Sequence, residues 1–408
     1  MTLHNSTSSD AQVTPKKTAL DQLSSNAVDV PPSITRVLAN KAMGIEGLIP
    51  LWFGEPNQPT PKFICDEAAR AMQNGETFYA EGLGRPFLRQ AIADYSSRIY
   101  NTEIPSERIA VTVSGGNAIN LAFQALLKPG DKVATITPAF PNLLRIPQLQ
   151  SAELICHALD IVEGKWSLDI DAFIESAAEA KAVLINSPSN PTGWTMTSEQ
   201  QRYLLDELRS RNIWLIADEV YSRTTFDNSV APSFLEVSQP EDKLIVVNSF
   251  SKSWAMTGWR LGWLTLPPSL VPTIEKIMEF SVACAPPFVQ RAAVVAIEQG
   301  EAFIQQSSEN YHLAKEKVSQ TLARYSAVEC PEIEATFYAF FRIPAIKDSI
   351  AFSQLLIDEA KVGLAPGEAF GAPSNGWFRL CFAQTPEVLD QALARLDHYL
   401  KDPARFNL

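Results

Sequence analysis

Short apolar runs alternate with helix-length segments from about residue 108 onward. Seven of these runs are rich in β-branched residues and end in turn residues, as buried strands do. They cover residues 108–113, 132–137, 154–158, 182–186, 213–217, 244–248 and 261–266. The intervening segments, such as 117–127 and 198–211, have helical periodicity. This alternation predicts an α/β fold with a doubly wound, mostly parallel sheet.

The pattern changes after about residue 285. Amphipathic helices are predicted over 288–298 and 301–325, short strands near 335–341 and 377–382, and a last helix over 386–400. This order predicts a smaller α+β domain. We expect a polar arm (1–33), an N-terminal segment that packs with the small domain (34–50), a large domain (51–285) and the small C-terminal domain (286–408).

Composition and charge narrow the classes of function. The chain has 408 residues, of which 46% are apolar, enough to bury the cores of two domains. Its net charge of −12 disfavours a nucleic-acid partner. We expect no membrane segment, because no run approaches the roughly 18 apolar residues of a span. The five scattered cysteines and the absence of a signal-peptide core predict a soluble, cytoplasmic protein, and no metal-ligand spacing is visible.

Lys252 is the first candidate for chemistry. It lies between two serines in the segment 249–254, directly after a predicted strand, and Arg260 follows eight residues later. We expect Lys252 on a loop at the carboxyl edge of the sheet, where ligands of such folds bind. A lysine there can form a Schiff base if desolvation or nearby positive charge lowers its pKa. The alternative for a single lysine is a solvated surface position.

Polar residues after the two preceding strands favour the functional interpretation. Asp218 and Tyr221 close one strand, and Asn190 follows the strand before it. These side chains and Lys252 would converge on one edge of the sheet. Asp218 ends an apolar strand, so its carboxylate needs a cationic partner, which a protonated pyridine nitrogen would supply.

Four motifs together carry a resemblance to a known family. They are Asn-Pro-Thr-Gly at 190–193, Asp-Glu-Val-Tyr at 218–221, Ser-Phe-Ser-Lys at 249–252 and the distal Arg379. The chain resembles the aspartate aminotransferase-like, class I/II aminotransferases of the fold-type I superfamily, which depend on pyridoxal 5′-phosphate (PLP). The match is collinear from about Gly54 to Arg379, and 51–285 would be the PLP-binding domain.

The resemblance implies roles for the residues at the edge of the sheet. Lys252 would hold PLP as an internal aldimine and move the proton between the substrate and the cofactor. Asp218 would pair with the pyridinium nitrogen. Asn190 and Tyr221 would bind the phenolic oxygen of the ring.

The resemblance also implies a site for the cofactor phosphate and a stacking residue. The phosphate would bind at Ser114, Gly115, Gly116, Asn117, Ser249, Ser251 and Arg260. Glycines at a strand-to-helix turn allow backbone N–H groups to approach a dianion. Phe140 would stack on the pyridine ring.

The remaining implied residues bind the substrate or join subunits. Arg379 would hold the α-carboxylate of the amino acid, Gly54 would leave room for it, and Asn190 would contact it. Tyr79 would reach the phosphate of a neighbouring subunit, which implies a homodimer with shared sites.

Three hypotheses for function remain open in the sequence. The first is transfer of an amino group between an L-amino acid and a 2-oxo acid. The second is a PLP-dependent lyase, decarboxylase or cyclising enzyme on the same scaffold. The third is a regulatory or binding module, which the presence of Lys252 disfavours. The amino donor stays open, because Arg85, Arg145 and Arg223 could each bind an acidic side chain, whereas Trp52, Phe53 and Trp254 suit an aromatic one.

Overall fold

The structure is a computed structural model that describes residues 23–227, 229–371 and 375–401. Residues 1–22 of the predicted polar arm lie outside these ranges. The strands are β1 (Ile49–Pro50), β2 (Ile109–Thr112), β3 (Lys132–Thr137), β4 (Glu153–Ala158), β5 (Asp160–Val162), β6 (Lys165–Ser167), β7 (Ala182–Asn186), β8 (Trp214–Asp218), β9 (Leu244–Ser249), β10 (Gly262–Thr265), β11 (Tyr338–Arg342), β12 (Val362–Gly363), β13 (Ala365–Pro366) and β14 (Trp377–Cys381).

The helices surround these strands and alternate with them over the first two thirds of the chain. They are α1 (Ser25–Asp29), α2 (Ile34–Lys41), α3 (Lys62–Gln73), α4 (Pro86–Tyr100), α5 (Gly115–Leu126), α6 (Pro141–Leu149), α7 (Ile170–Ser176), α8 (Ser198–Ser210), α9 (Phe250–Ser253), α10 (Val271–Ser281), α11 (Pro287–Gln299), α12 (Glu301–Leu322), α13 (Ser349–Leu355) and α14 (Pro386–Leu400).

The large sheet has seven strands in the order β2-β10-β9-β8-β7-β3-β4. Strand β10 runs antiparallel to both of its neighbours, β2 and β9, and the other pairings in this sheet are parallel. All residues of β7 and β9 are buried, because helices cover both faces of a parallel sheet. Their continuous apolar runs follow from this burial. The predicted mostly parallel α/β sheet is confirmed.

The C-terminal region forms a second, three-stranded antiparallel sheet in the order β11-β14-β13. The N-terminal segment joins this region, because β1 pairs with β12 in parallel and α2 contacts β13. In contrast, α11 packs against α3 and α4 beside the large sheet. The division at 285 and 286 stays a prediction.

Candidate active site

The carboxyl ends of β7, β8 and β9 meet at one edge of the large sheet. Asp218 is the last residue of β8 and lies opposite Asn186 at the end of β7. The neighbouring strand β9 ends at Ser249, three residues before Lys252. The three strands are adjacent and parallel, so the polar residues that follow them share one edge, as their order along the chain predicts.

Lys252 lies in a helical turn, α9, and the predicted loop is therefore wrong. The Ser249 hydroxyl caps this turn by accepting a hydrogen bond from the Ser251 N–H at 3.1 Å. From this turn the Lys252 Nζ donates to the Gly54 carbonyl oxygen at 2.6 Å. Burial lowers the pKa of Lys252 to about 8. A fraction of the amine is therefore neutral and nucleophilic near neutral pH.

Asp218 is buried without a cationic hydrogen-bond partner among the described residues. Its carboxylate accepts one long hydrogen bond, from the Val220 N–H at 3.4 Å. Burial raises the pKa of Asp218 to about 7, against smaller opposing effects of that hydrogen bond and of Lys252. A ligand cation beside this carboxyl group would restore its charge.

Arg379 is a buried cation on β14 that contacts only neutral groups. Its Nη1 donates to the Asn190 Oδ1 at 2.7 Å, and its Nη2 donates to the Trp52 carbonyl oxygen. The guanidinium lies 4.5 Å from the ring centroid of Tyr338 and 4.8 Å from that of Phe370. Because no described acid pairs with it, the arrangement suits a ligand carboxylate.

The strand-to-helix turn before α5 forms another wall of the site. Ser114 has φ 116° and its hydroxyl caps α5 by accepting from the Asn117 N–H at 3.2 Å. A Cβ on Gly262 would lie 2.8 Å from the Gly115 nitrogen, so β10 can approach the turn only as glycine. The free N–H groups of this helix start suit a phosphate.

These walls enclose a cavity of about 500 Å³. Thirteen predicted site residues line it: Gly54, Ser114, Gly115, Gly116, Phe140, Asn190, Asp218, Tyr221, Ser249, Ser251, Lys252, Arg260 and Arg379. Their convergence places the Lys252 amine, three serines and two arginines around one volume.

Two predicted residues do not line the cavity. Asn117 is not part of the cavity lining, and its Oδ1 is buried without a hydrogen-bond partner among the described residues. Tyr79 is 86% exposed within this subunit. A contribution of Tyr79 to a neighbouring subunit stays a prediction.

Arg36 and Tyr338 are among the residues of the cavity wall that sequence reasoning missed. Arg36 lies on α2, in a segment that the motifs do not cover, and its guanidinium lies 4.5 Å from the ring centroid of Phe53. Tyr338 begins β11 inside an apolar run, where a tyrosine has no distinguishing pattern. No local sequence pattern therefore indicated that either residue reaches the cavity.

The three arginines considered as a second cation lie outside the cavity. Arg223 is buried and pairs with Glu301 and the Tyr95 hydroxyl, Arg85 pairs with Glu81, and Arg145 donates to Gln148. Among the aromatic candidates, Trp52 and Phe53 line the cavity, whereas Trp254 packs on Phe250 in the core.

A model of one protein family matches most of the chain. It is described as aminotransferase class I and II and matches residues 46–396. The chain belongs to this family. The predicted resemblance is confirmed, and the motifs that carried it lie within the matched range.

Curated relatives of this chain are also named as aminotransferases. An aspartate aminotransferase of Thermotoga maritima is 34% identical over 381 residues, which are 91% of this chain and 97% of the relative. An aromatic-amino-acid aminotransferase 2 of Thermococcus litoralis is 30% identical and covers the same shares of both chains. A solved structure of the Thermotoga maritima aspartate aminotransferase has a TM-score of 0.86 at 32% identity and covers 93% of this chain and all of that one.

The protein is thus an aminotransferase that uses PLP, and the lyase, decarboxylase or cyclising alternative is not favoured. The cavity fits this cofactor. Lys252 offers an amine with a lowered pKa, Asp218 lacks a cation that a pyridinium would provide, and the turn at Gly115 offers N–H groups to a phosphate. No helix of the described ranges is long and apolar enough to cross a membrane.

Proposed function

We propose that this aminotransferase moves amino groups between an L-amino acid and a 2-oxo acid in the cavity, with PLP attached to Lys252. The observation that carries the proposal is that Lys252, Asp218 and Arg379 line one cavity. Each of these buried groups lacks the partner that the cofactor or the substrate would supply.

Lys252 is the residue that moves the proton. When bound, PLP supplies an aldehyde that captures amines and a ring that withdraws electrons from Cα of the amino acid. Once the amino group of the substrate has replaced it on the cofactor, the Lys252 Nζ is a free amine that would take the proton from Cα, and burial, which lowers its pKa to about 8, leaves a share of it unprotonated. The hydrogen bond to the Gly54 carbonyl oxygen fixes the position of this nitrogen.

Three residues hold the ring of the cofactor. Asp218 pairs with the protonated ring nitrogen and keeps the ring electron-poor. Asn190 and Tyr221 bind the phenolic oxygen, and their own side chains are joined by a hydrogen bond of 3.4 Å. Phe140 and Val220 line the cavity and supply apolar contacts to the ring.

The phosphate binds at the start of α5. Gly115 and Gly116 expose backbone N–H groups there, and Ser249 and Ser251 bring two hydroxyls within 2.9 Å of each other. Arg260 lines the same cavity and adds a positive charge. We assign Asn117 no direct contact, because it does not line the cavity.

Arg379 binds the α-carboxylate of the amino acid. Its Nε is buried and has no hydrogen-bond partner within the ranges that the structure describes, and the two other nitrogens contact neutral oxygens, so the charge is available to an anion. A planar guanidinium holds a carboxylate by two parallel hydrogen bonds. This contact orients Cα toward Lys252 and favours loss of its proton.

Arg36 binds a second carboxylate, on the side chain of a dicarboxylic amino donor. It lines the cavity, and among the described residues no acid pairs with it. Several relatives are named aspartate aminotransferase, which supports this donor class. An aromatic donor, which Phe53 and Trp52 would suit, is the alternative outcome of a substrate panel.

The enzyme acts as a homodimer in the cytoplasm. Phe78, Tyr79 and Phe280 expose 79%, 86% and 91% of their surface, an arrangement that a subunit interface would bury. Tyr79 then reaches the phosphate in the partner subunit. All five cysteines are free thiols, which suits a reducing compartment.

The half-reaction with an amino acid alone tests the proposal. Aspartate added to the PLP-loaded enzyme should give its 2-oxo acid and the amine form of the cofactor in equal amounts, measured by absorbance and chromatography. Release of carbon dioxide, or of ammonia without the amine form, would instead support the lyase or decarboxylase alternative.

A further inference from the structure

The hydroxyl groups of Tyr338 and Tyr221 lie 2.8 Å apart beside the cavity. Tyr338 begins β11 and is buried, and its neighbour in register on β14 is Cys381, two residues from Arg379. The pair therefore joins the C-terminal sheet to the edge of the large sheet. None of the motifs in the sequence includes Tyr338.

The distance allows either hydroxyl to donate, and the surrounding hydrogen bonds are compatible with donation by Tyr338. Asn190 accepts from Arg379 through Oδ1, so its amide nitrogen faces Tyr221 and donates to that hydroxyl at 3.4 Å. The Tyr338 hydroxyl has one hydrogen-bond partner among the described residues, the Tyr221 oxygen. A phenol oxygen can accept two hydrogen bonds and donate one. Donation by Tyr338 leaves the Tyr221 proton free to point into the cavity.

We propose that Tyr338 is a positioning residue whose hydroxyl donates to Tyr221 and so directs the Tyr221 proton to the phenolic oxygen of bound PLP. This inference rests on the proposed role of Tyr221. Successive hydrogen bonds polarise one another, so the bond from Tyr338 makes Tyr221 a stronger donor. A stronger donor favours the deprotonated phenolic oxygen of the cofactor.

Two further contacts hold Tyr338 in place, one at its hydroxyl and one at its ring. A Cβ on Gly54 would lie 2.0 Å from the Tyr338 oxygen, so the hydroxyl occupies the space that glycine leaves. The Arg379 guanidinium lies 4.5 Å from the centre of the Tyr338 ring. The ring and the hydroxyl thus have separate tasks: the ring supports the carboxylate-binding arginine, and the hydroxyl orients Tyr221.

The test is the pH at which the bound cofactor changes colour, measured by absorbance in the holoenzyme. Tyr338→Phe should raise this midpoint by about 0.4–1 pH unit, because one hydrogen bond in the chain is lost. Tyr221→Phe should raise it further. In the double variant, loss of the Tyr338 hydroxyl should add nothing, since the residue through which it acts is absent.

The groups that face the pair stay the same in all of these variants. They are Arg379 on β14, Lys252 on α9, Asp218 at the end of β8 and the Cys381 thiol. Tyr311→Phe is the matched control, because Tyr311 is also buried and packs on Phe337 but does not line the cavity. Its colour midpoint should equal that of the unmodified enzyme.

Kinetics separate the two tasks of Tyr338. Tyr338→Phe keeps the ring and should lower kcat with KM changed less than about twofold, whereas Tyr338→Leu should also raise KM. If Tyr338→Phe does not fold, Gly54→Ala supplies the same test, because its Cβ displaces the Tyr338 hydroxyl and should raise the colour midpoint.

Two results would overturn the inference. One is an unchanged midpoint in Tyr338→Phe beside a shifted one in Tyr221→Phe, and the other is additive shifts in the double variant. An unchanged midpoint in Tyr221→Phe would instead remove the role proposed for Tyr221, and the inference with it.

Discussion

The Lys252 Nζ donates to the carbonyl oxygen of Gly54, 2.6 Å away and 198 positions earlier in the chain. This hydrogen bond joins the turn after β9 to the segment that follows β1. A backbone acceptor at this position holds the amine inside the cavity without placing a negative charge beside it. The amine therefore keeps the low pKa that burial gives it.

Replacement of this amine should greatly slow catalysis without unfolding the protein. We expect Lys252→Ala to lower the rate of amino transfer by about 10²–10⁴-fold, because proton transfer at Cα loses its base. Mass spectrometry of the denatured, borohydride-reduced protein should find the cofactor on Lys252 in the unmodified enzyme and nowhere in the variant. Lys243→Ala, outside the cavity, is the control and should keep both properties.

Asp218 should make the cofactor-free protein less stable as the pH rises. Its folded pKa of about 7 lies above the ordinary value of 3.8, so the folded state binds the proton more tightly than the unfolded state does. Stability is therefore lost as the pH rises from about 4 to 7. Glu219, whose pKa burial raises to about 8, adds a loss of the same sign.

Asp218→Asn should remove one part of that loss. At pH 8 we expect the cofactor-free variant to be more stable than the unmodified protein by on the order of 2–4 kcal/mol, and the stabilisation by PLP to be reduced. Thermal unfolding at pH 5 and pH 8, with and without PLP, measures both effects. A variant that is equally stable or less stable at pH 8 would contradict the conclusion that the Asp218 carboxylate is buried without a compensating cation.

Asp242→Asn is the matched control for this measurement. Burial acts against ionisation there too, but hydrogen bonds from Arg209 at 2.7 and 2.8 Å hold the pKa of Asp242 below its ordinary value. Its replacement should lower stability near pH 7, opposite in sign to the change at Asp218.

Removal of Arg379 should weaken the use of every α-amino acid. We expect Arg379→Ala to lower kcat/KM by roughly 10²–10³-fold, since two charge-assisted hydrogen bonds to the carboxylate are lost. Arg379→Lys should lose less, because it keeps the charge. Arg342→Ala, on the neighbouring strand and paired with Glu329 at 3.8 Å, should leave kcat/KM within twofold. Equal values for the Arg379 and Arg342 variants would place the carboxylate elsewhere.

Arg36 should affect only donors with an acidic side chain. Arg36→Ala should lower kcat/KM for aspartate and glutamate by roughly tenfold or more, and leave phenylalanine nearly unchanged. Steady-state kinetics with the three donors measures the difference. Lys41→Ala removes an exposed charge from the same helix, outside the cavity, and is the control. A uniform loss across the three donors would argue against a side-chain carboxylate at Arg36.

The sequence predicted the large sheet within about one residue at each strand end, because all of its strands except the edge strand β4 are largely buried and leave unbroken apolar runs. The run predicted at 213–217, for example, is β8 at Trp214–Asp218. Asp218, Tyr221 and Lys252 lie at or just after the carboxyl ends of two of these strands. Because the strands are parallel and adjacent, the convergence of these side chains could be predicted as well.

The missed residues share a physical cause. Tyr338 and Arg36 reach the cavity from β11 and α2, and tertiary packing of distant segments, which no local pattern encodes, brings them there. Lys252 was expected on a loop because a four-residue helix is too short to show periodicity. The salt bridge between Arg223 and Glu301 removes Arg223 as a candidate for substrate binding, and no local sequence pattern indicates this pair.

Arg379 originates in the C-terminal sheet, yet its two hydrogen-bonded nitrogens rest on oxygens of Asn190 and Trp52, which belong to other parts of the chain. A displacement of β14 away from the large sheet would take the guanidinium off the Asn190 oxygen, whereas Trp52 would move with β14, because the Cys381 N–H donates to the carbonyl oxygen of the adjacent Leu51. Asn190 is therefore the anchor that ties the carboxylate-binding arginine to the large sheet, and a mutation that removed this amide oxygen would leave the guanidinium held from the side of the C-terminal sheet alone.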